Sequence, residues 1–251
     1  MGRNVVVTGA ASGIGKATVK KFLDLGDTVY MTDWDQKNLE ATENELKSAG
    51  KIFIQAGDVG KWEDVVKLAD LVKNNGGCDI LANVAGVFRV GQIHDAPEDD
   101  YDYQFNVNVR GVFHTIKALG PQMLAKKKGA IINVSSVSGI GGDYNMSLYC
   151  ATKGAVGALS RAVAMDYSVQ GVRVNIVSPS AVKTPMFMTG LTDQVAELFR
   201  KNMPDRRLCE PEWVANAIVY LASDAAEHIS GVELPVDGGL SAWNGQPNQE
   251  K

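Results

Sequence analysis

The feature that most constrains this chain is its alternation of short, continuously apolar runs with helical patterns. Residues 4–8 read as a buried strand with three consecutive valines at the centre, and residues 13–25 then place apolar side chains at helical spacing before stopping at Gly26, a helix-ending signal. The alternation recurs, with strands expected at 28–32, 52–55, 79–82, 130–134, 172–177 and 233–236. Helices are expected at 39–49, 62–73, 101–126, 149–170 and 212–223. Strands without a polar face must be covered on both sides, and helical crossovers between them make neighbours parallel. The expected architecture is one α/β domain over residues 1–251, a doubly wound, seven-stranded parallel sheet flanked by helices. Residues 186–203 lack a strand and are rich in Met, Phe and Leu, so they are expected to form a lid over a substrate at the carboxyl side of the sheet.

Composition narrows the function classes. A chain of 251 residues that is 45% hydrophobic can bury one large core. Its net charge of −4 gives no basic surplus for nucleic acid or an anionic membrane, and Lys126 to Lys128 read as a solvated cap on a helix end. Cys78, Cys150 and Cys209 are odd in number and far apart, and His94, His114 and His228 are isolated, so neither disulfides nor a metal site is expected. No run approaches a membrane span, and Met1 to Asn4 lead into a strand without an apolar leader; the cytoplasm is the expected location. The polar tail, 244–251, is expected to fray.

The turn after the first strand, Thr8-Gly9-Ala-Ala-Ser12-Gly13-Ile14-Gly15, has the makings of a phosphate site. Gly9 permits a tight turn, Gly13 lets the backbone approach a pyrophosphate, and Gly15 lets helix and sheet pack closely. Ser12 and Ile14 sit at the helix start, where free N–H groups and the positive dipole end favour an anion. Asp33 ends the second strand eighteen residues after Gly15, near the spacing of an acid that accepts from ribose hydroxyls. A carboxylate there repels a 2′-phosphate, which points to NAD(H) over NADP(H). Asp58, followed by Val59, comes after the third strand; it could accept from an adenine amino group or cap the next helix. Asn83, Ala85 and Gly86 end the fourth strand at the edge where such sheets bind ligands.

Tyr149 and Lys153 are four apart and share one helix face, with Ser136 thirteen residues before Tyr149. An ammonium beside a phenol favours the phenolate and is expected to lower the phenol pKa, a set-up for acid–base chemistry.

Read together, these residues resemble the short-chain dehydrogenase/reductase family from Thr8 to Gly239. The resemblance implies a Rossmann fold and the catalytic set Asn108, Ser136, Tyr149 and Lys153. In it Ser136 polarises a carbonyl, Tyr149 exchanges the proton, Lys153 also holds the nicotinamide ribose, and Asn108 stabilises a relay water and its helix. It also implies that Pro179, Val182 and Thr184 contact nicotinamide. Val84 departs from the family's usual Asn, and Ser180 from its usual Gly, which alters the expected floor of the substrate pocket. The segments around Ser136 to Asp143, Tyr149 to Lys153, Ser180 and the terminal Gly245-Gln246-Pro247 are similar to the branch of the family that interconverts acetoin or diacetyl with 2,3-butanediol. That likeness implies a homotetramer with C-terminal tails near neighbouring subunits.

Gly142, Asp143, Ser180, Met186, Phe187 and Trp243 are pocket candidates by position, with Asp143 either bonding a substrate hydroxyl or shaping a turn. An apolar lid with few charges suits a small neutral ketone or alcohol. The competing readings are a 3-oxoacyl-carrier reductase, a hydroxysteroid dehydrogenase, or a non-catalytic NAD-binding regulator.

Overall fold

The computed structural model describes residues 2–246. Residues 247–251, most of the tail expected to fray, lie outside the described residues. Seven strands, β1 (Asn4–Thr8), β2 (Thr28–Thr32), β3 (Ile52–Ile54), β4 (Ile80–Asn83), β5 (Gly129–Val134), β6 (Val172–Pro179) and β7 (Glu233–Val236), form one sheet in the order β3-β2-β1-β4-β5-β6-β7. All six pairings are parallel. The helices are α1 (Gly13–Asp24), α2 (Gln36–Leu46), α3 (Trp62–Lys73), α4 (Glu98–Phe105), α5 (Gly111–Lys126), α6 (Ser147–Ser168), α7 (Pro185–Met188), α8 (Asp193–Asn202) and α9 (Pro211–Ala222).

Strand alternation divides the core. Val5 and Val7 face one side of the sheet with Val29, Met31 and Ile132, against Phe22 and Leu23 of α1 and Val214, Ile218 and Leu221 of α9. Val6 faces the other side with Tyr30, Leu81 and Ile131, against Leu68 of α3, Leu119 of α5 and Val156 of α6. Each such large side chain contributes about 1.5–3 kcal/mol of burial. The chain starts at the centre of the sheet, runs out to β3 and returns to β4 on the other side of β1. The crevice at the carboxyl ends of β1 and β4 is therefore the topological switch point, where ligands bind in such sheets.

Most elements shift by a residue or two from their expected ends, and three of the shifts bear on the fold and the site. The second helix begins at Gln36 rather than residue 39, because the Asp35 carboxylate accepts from Asn38 N–H at 3.0 Å and starts it early. The long helix expected at 101–126 begins at Glu98 and carries a π-turn, Asn106–Arg110, between α4 and α5. The sixth strand runs on to Pro179, two residues further than expected. The 186–203 segment folds into α7 and α8, stapled by Phe187 edge-on to Phe199 at 5.1 Å.

Candidate functional site

The β1–α1 turn is built by its glycines. Gly9 and Gly13 hold positive φ values of 64° and 50°, a region that disfavours other residues. A Cβ on Gly9 would lie 2.8 Å from Ala85 Cα, and one on Gly15 would lie 1.9 Å from the Gly9 carbonyl oxygen. These contacts seat α1 against the turn and bring the turn against the loop after β4. A Cβ on Gly13 would meet Thr184 Cγ2 at 2.8 Å, so the residue that caps α7 reaches across to the glycine turn. The Thr8 hydroxyl fastens the switch point by accepting from Val84 N–H at 3.0 Å and Ala85 N–H at 3.1 Å.

Ser12 occupies the N-cap of α1 but its side chain caps nothing, and no acidic side chain lies in the first turn. Asp33 stands half-buried beside this turn: Oδ2 accepts from Ala11 N–H at 3.0 Å and Oδ1 from Asp35 N–H at 3.1 Å. Burial raises its pKa above the usual carboxylate value, and those two backbone N–H groups oppose the rise. A carboxylate offers about four acceptor sites, so both oxygens keep capacity for ribose hydroxyls. The residues fit a dinucleotide: a bare-backbone cradle, a helix start without competing acid, and an acceptor at its side.

Other expected cofactor contacts are placed differently. The Asn83 amide is buried and tied within the fold, donating to Asn133 Oδ1 at 2.8 Å and accepting from Thr115 Oγ1 at 2.8 Å. The Asp58 side chain does not cap α3; Lys61 holds that position, and Asp58 Oδ1 accepts from Gly60 N–H at 2.9 Å in a turn before it. Val59 is buried against Gly111, and Ile14 packs on the core. Val182 bridges to Cys209.

The expected catalytic residues gather at the ends of β5 and α6. The Ser136 hydroxyl oxygen accepts from Ser138 N–H at 3.1 Å, leaving its own proton to donate. Lys153 is buried, and its Nζ donates to the Val134 carbonyl at 3.0 Å and lies 5.6 Å from the Tyr149 ring centre. Burial pulls its pKa down to about 8. Tyr149 is half-buried, and burial pushes its phenol up to about 12, opposed by hydrogen bonding with Ser136 and helped by Cys150 and Asp143. The phenol is thus shifted opposite to the expected lowering by Lys153: desolvation acts on both groups and favours the neutral form of each.

Asn108 lies in the π-turn, buried, and pairs with one residue of the loop after β4. Its Oδ1 accepts from Val87 N–H at 2.8 Å and its Nδ2 donates to the Val87 carbonyl at 2.8 Å and to Thr152 Oγ1 at 3.0 Å. Asn108 Oδ1 and Lys153 Nζ both stand over Gly86, 3.4 and 3.3 Å from where a Cβ would be.

The expected substrate residues do not form one group. Asp143 accepts from Ser138 Oγ at 3.0 Å, which favours the turn-shaping reading, and Gly142 is exposed with open space around it. Met186 is exposed on α7, and the Trp243 indole donates to the Gln246 carbonyl at 2.7 Å. Ser180 lines a cavity of about 380 Å3 with Cys209, Trp213 and Asp237, and neither Ser136 nor Tyr149 belongs to it. Sequence reasoning passed over Thr8, Phe88, Gln104 and Ser138. Thr8 stands at the head of the glycine motif, and that position was the available signal; Phe88 and Gln104 act through contacts distant in sequence, and Ser138 through a local turn with Ser136 and Asp143. Among the described residues no cluster of metal-ligating side chains occurs, and no helix is long and apolar enough to cross a membrane.

The family profile described as Enoyl-(Acyl carrier protein) reductase matches residues 9–241. The chain is 38% identical to meso-2,3-butanediol dehydrogenase of Serratia marcescens, covering 97% of this chain and 96% of that protein. It is 34% identical to the 3-oxoacyl-[acyl-carrier-protein] reductase of Thermotoga maritima, over 95% and 98% of the two chains. The crystal structure of levodione reductase superposes with a TM-score of 0.92 at 29% identity, over 96% and 98%. With the glycine turn at the switch point of a parallel sheet and Ser136, Tyr149 and Lys153 gathered beside it, these likenesses make the chain a member of the short-chain dehydrogenase/reductase family of oxidoreductases.

Proposed function

We propose that this protein is an NAD(H)-dependent oxidoreductase that interconverts a small neutral ketone with a secondary alcohol, the substrates being acetoin, diacetyl and 2,3-butanediol. The observation that carries the reading is the proximity of a buried Lys153, its Nζ 5.6 Å from the Tyr149 ring centre, to Tyr149 and to Ser136 just past the end of β5. A phenol held near 12 keeps its proton at neutral pH and can give it to a carbonyl oxygen within hydrogen-bond reach. Ser136, whose oxygen already accepts from Ser138 N–H, donates to that same oxygen and holds the carbonyl in line. Lys153, anchored on Val134, places positive charge near the phenolate left behind. In the alcohol direction Tyr149 takes the proton back. The dinucleotide, when bound, supplies or accepts the hydride.

Ser12, Gly13, Ile14 and Gly15 are assigned to the pyrophosphate, Asp33 to the adenosine ribose, Ala85 and Gly86 to the cofactor's approach at the switch point, and Pro179, Val182 and Thr184 to the nicotinamide side. The choice of NAD(H) rests on Asp33, whose half-buried carboxylate opposes a second phosphate. A neutral small substrate is supported by the likeness to the butanediol dehydrogenase. The likeness to the acyl-carrier reductase supports a second reading, a 3-oxoacyl thioester substrate. Assembly as a cytoplasmic homotetramer belongs to the same proposal and is checked by light scattering on the purified protein.

The deciding experiment follows NADH and NADPH oxidation with racemic acetoin, diacetyl, a larger ketone and a 3-oxoacyl thioester. Fast NADH-dependent turnover of acetoin or diacetyl is expected. Preference for the thioester would replace the substrate, and turnover surviving in Tyr149→Phe would remove the proton donor from the scheme. Asp33→Ala should erode the preference for NADH; an unchanged preference would refute its cause.

A further inference from the structure

Phe88 follows the loop that ends β4, and its neighbours are pinned on both sides. Val87 is held twice by Asn108, and Arg89 N–H donates to Gln104 Oε1 at 3.2 Å. Gln104 and Asn108 are both buried, so residues 87–89 lie against a short ladder of side chains from α4 and the π-turn. The Arg89 guanidinium adds a stack over Tyr103 at 4.7 Å and an ion pair with Asp100 at 3.6 Å. Two residues further, Gly91 N–H donates to the Asn145 carbonyl at 2.8 Å, and Gly91 bridges to Met146 just before α6. Between these anchors the half-buried Phe88 ring meets Tyr149 edge-on, with centroids 6.1 Å apart and planes at 70°.

A carbonyl that takes the Tyr149 proton must bring its oxygen to roughly 2.6–3.2 Å from the phenol oxygen. Its carbon and first substituents then lie within a few ångströms of the phenol ring, on one side of which stands Phe88. An exposed loop would yield to a bulky substituent; this segment has its backbone N–H groups on both sides of Phe88 taken up by buried amide oxygens.

Resting on the ketone–alcohol reading above, we infer that Phe88 is a specificity-determining wall of the substrate site, fixed beside Tyr149 so that carbonyl compounds with methyl-sized groups on that side are accepted and those with ring-sized groups are excluded. The wall names the substrate class by size, and it comes from the loop after β4, not from the 186–203 segment.

The test compares diacetyl with its analogue in which one methyl is replaced by phenyl, using wild type, Phe88→Ala and Phe88→Leu. The ratio of kcat/KM for the phenyl compound over diacetyl should rise about tenfold or more in Phe88→Ala, within the range a pocket's steric fit commands, and less in Phe88→Leu. An unchanged ratio in both variants would overturn the wall. Calorimetric binding of the phenyl compound to the same three proteins is read alongside. If wild type turned over no carbonyl, the proposed function would fall, while the binding data would still decide on Phe88: tighter binding in Phe88→Ala supports the wall, and equal binding in all three removes it.

Discussion

Lys153 illustrates at the residue scale how a site is held against the preference of its surroundings. Its pKa is about 8 in the fold against 10.5 in water, because burial disfavours the ammonium. Below pH 8 the lysine is charged in both states and the folded protein bears the whole penalty, about 3 kcal/mol for a displacement of that size. Between pH 8 and 10.5 the unfolded chain binds a proton that the folded chain does not, so this contribution to stability improves as pH rises. Tyr149 runs the other way at higher pH: its phenol, raised to about 12, favours the fold less and less above pH 10. Lys153→Met should therefore stabilise the protein at pH 7 by about 2 kcal/mol, the relieved penalty less about 1 kcal/mol for the hydrogen bond to Val134. The gain should shrink to about 0.5 kcal/mol at pH 9.5, while turnover falls at both. Urea unfolding at the two pH values checks the sign, and a variant less stable than wild type at pH 7 would show that burial is not what depresses the lysine.

At the scale of elements, the site depends on how closely the turn after β5 lies on α6. Gly139 makes that approach possible: a Cβ there would lie 2.8 Å from the Lys153 carbonyl carbon and 2.9 Å from Ser135 Oγ. Ser135 already donates to the Lys153 carbonyl at 2.9 Å, so the turn is tied as well as packed. Gly139→Ala must push the turn off the helix, at about 1–3 kcal/mol for overpacking. It should also shift Ser136 from Tyr149, and a displacement near 1 Å costs about a hundredfold in rate. Gly141→Ala, three-dimensionally open, should leave both stability and rate near wild type. Equal behaviour of the two variants in thermal melts and kcat/KM would break the link between this packing and the chemistry.

The same elements show what the sequence displays and what it conceals. Strand and helix positions were legible because continuous valines and 3.6-residue periodicity are local signals, and the glycine turn because its residue type is dictated by backbone conformation. The π-turn was hidden, since Asn-Val-Asn-Val-Arg at 106–110 carries no residue type that marks an extra residue in a helical turn, and the Asn108–Val87 pairing that accompanies it joins residues 21 apart in sequence. The early start of α2 had a readable sign in Asp35. The fate of Asn83 depends on Asn133 and Thr115, which only the folded sheet brings together. The acidity of Tyr149 was misjudged because proximity on a helix can be counted in the sequence, whereas desolvation cannot.

For the molecule as a whole, the question is what joins the first strand to the last helix across a chain of this length. Arg3 and Asp27 form that join. Arg3 N–H and Nε donate to Asp27 Oδ1 at 2.9 and 3.1 Å, Nη2 donates to Oδ2 at 2.7 Å, and Nη1 reaches the Ala222 carbonyl at the end of α9 at 3.3 Å. The hydrogen bonds to Asp27 raise the guanidinium pKa further, so the cation persists at any working pH. Asp27 is buried while the Arg3 side chain is one-third exposed, at 34%. Removing the acid therefore strands an arginine that water can partly rescue, and the cost of Asp27→Ala should be about 2–3 kcal/mol rather than the about 3–5 kcal/mol of a fully buried pair. In a chain of this size that corresponds to a fall in Tm of roughly 5–10 °C. Asp27→Asn keeps an acceptor without the charge and should fall between the two. Because the pair is largely shielded, the loss should persist at high salt, unlike that of the exposed pair Lys128–Asp224. Melting curves at low and high ionic strength decide it: if Asp27→Ala melts with wild type, or its deficit disappears with salt, the closure of the molecule rests on the apolar packing of α9 against α1 alone.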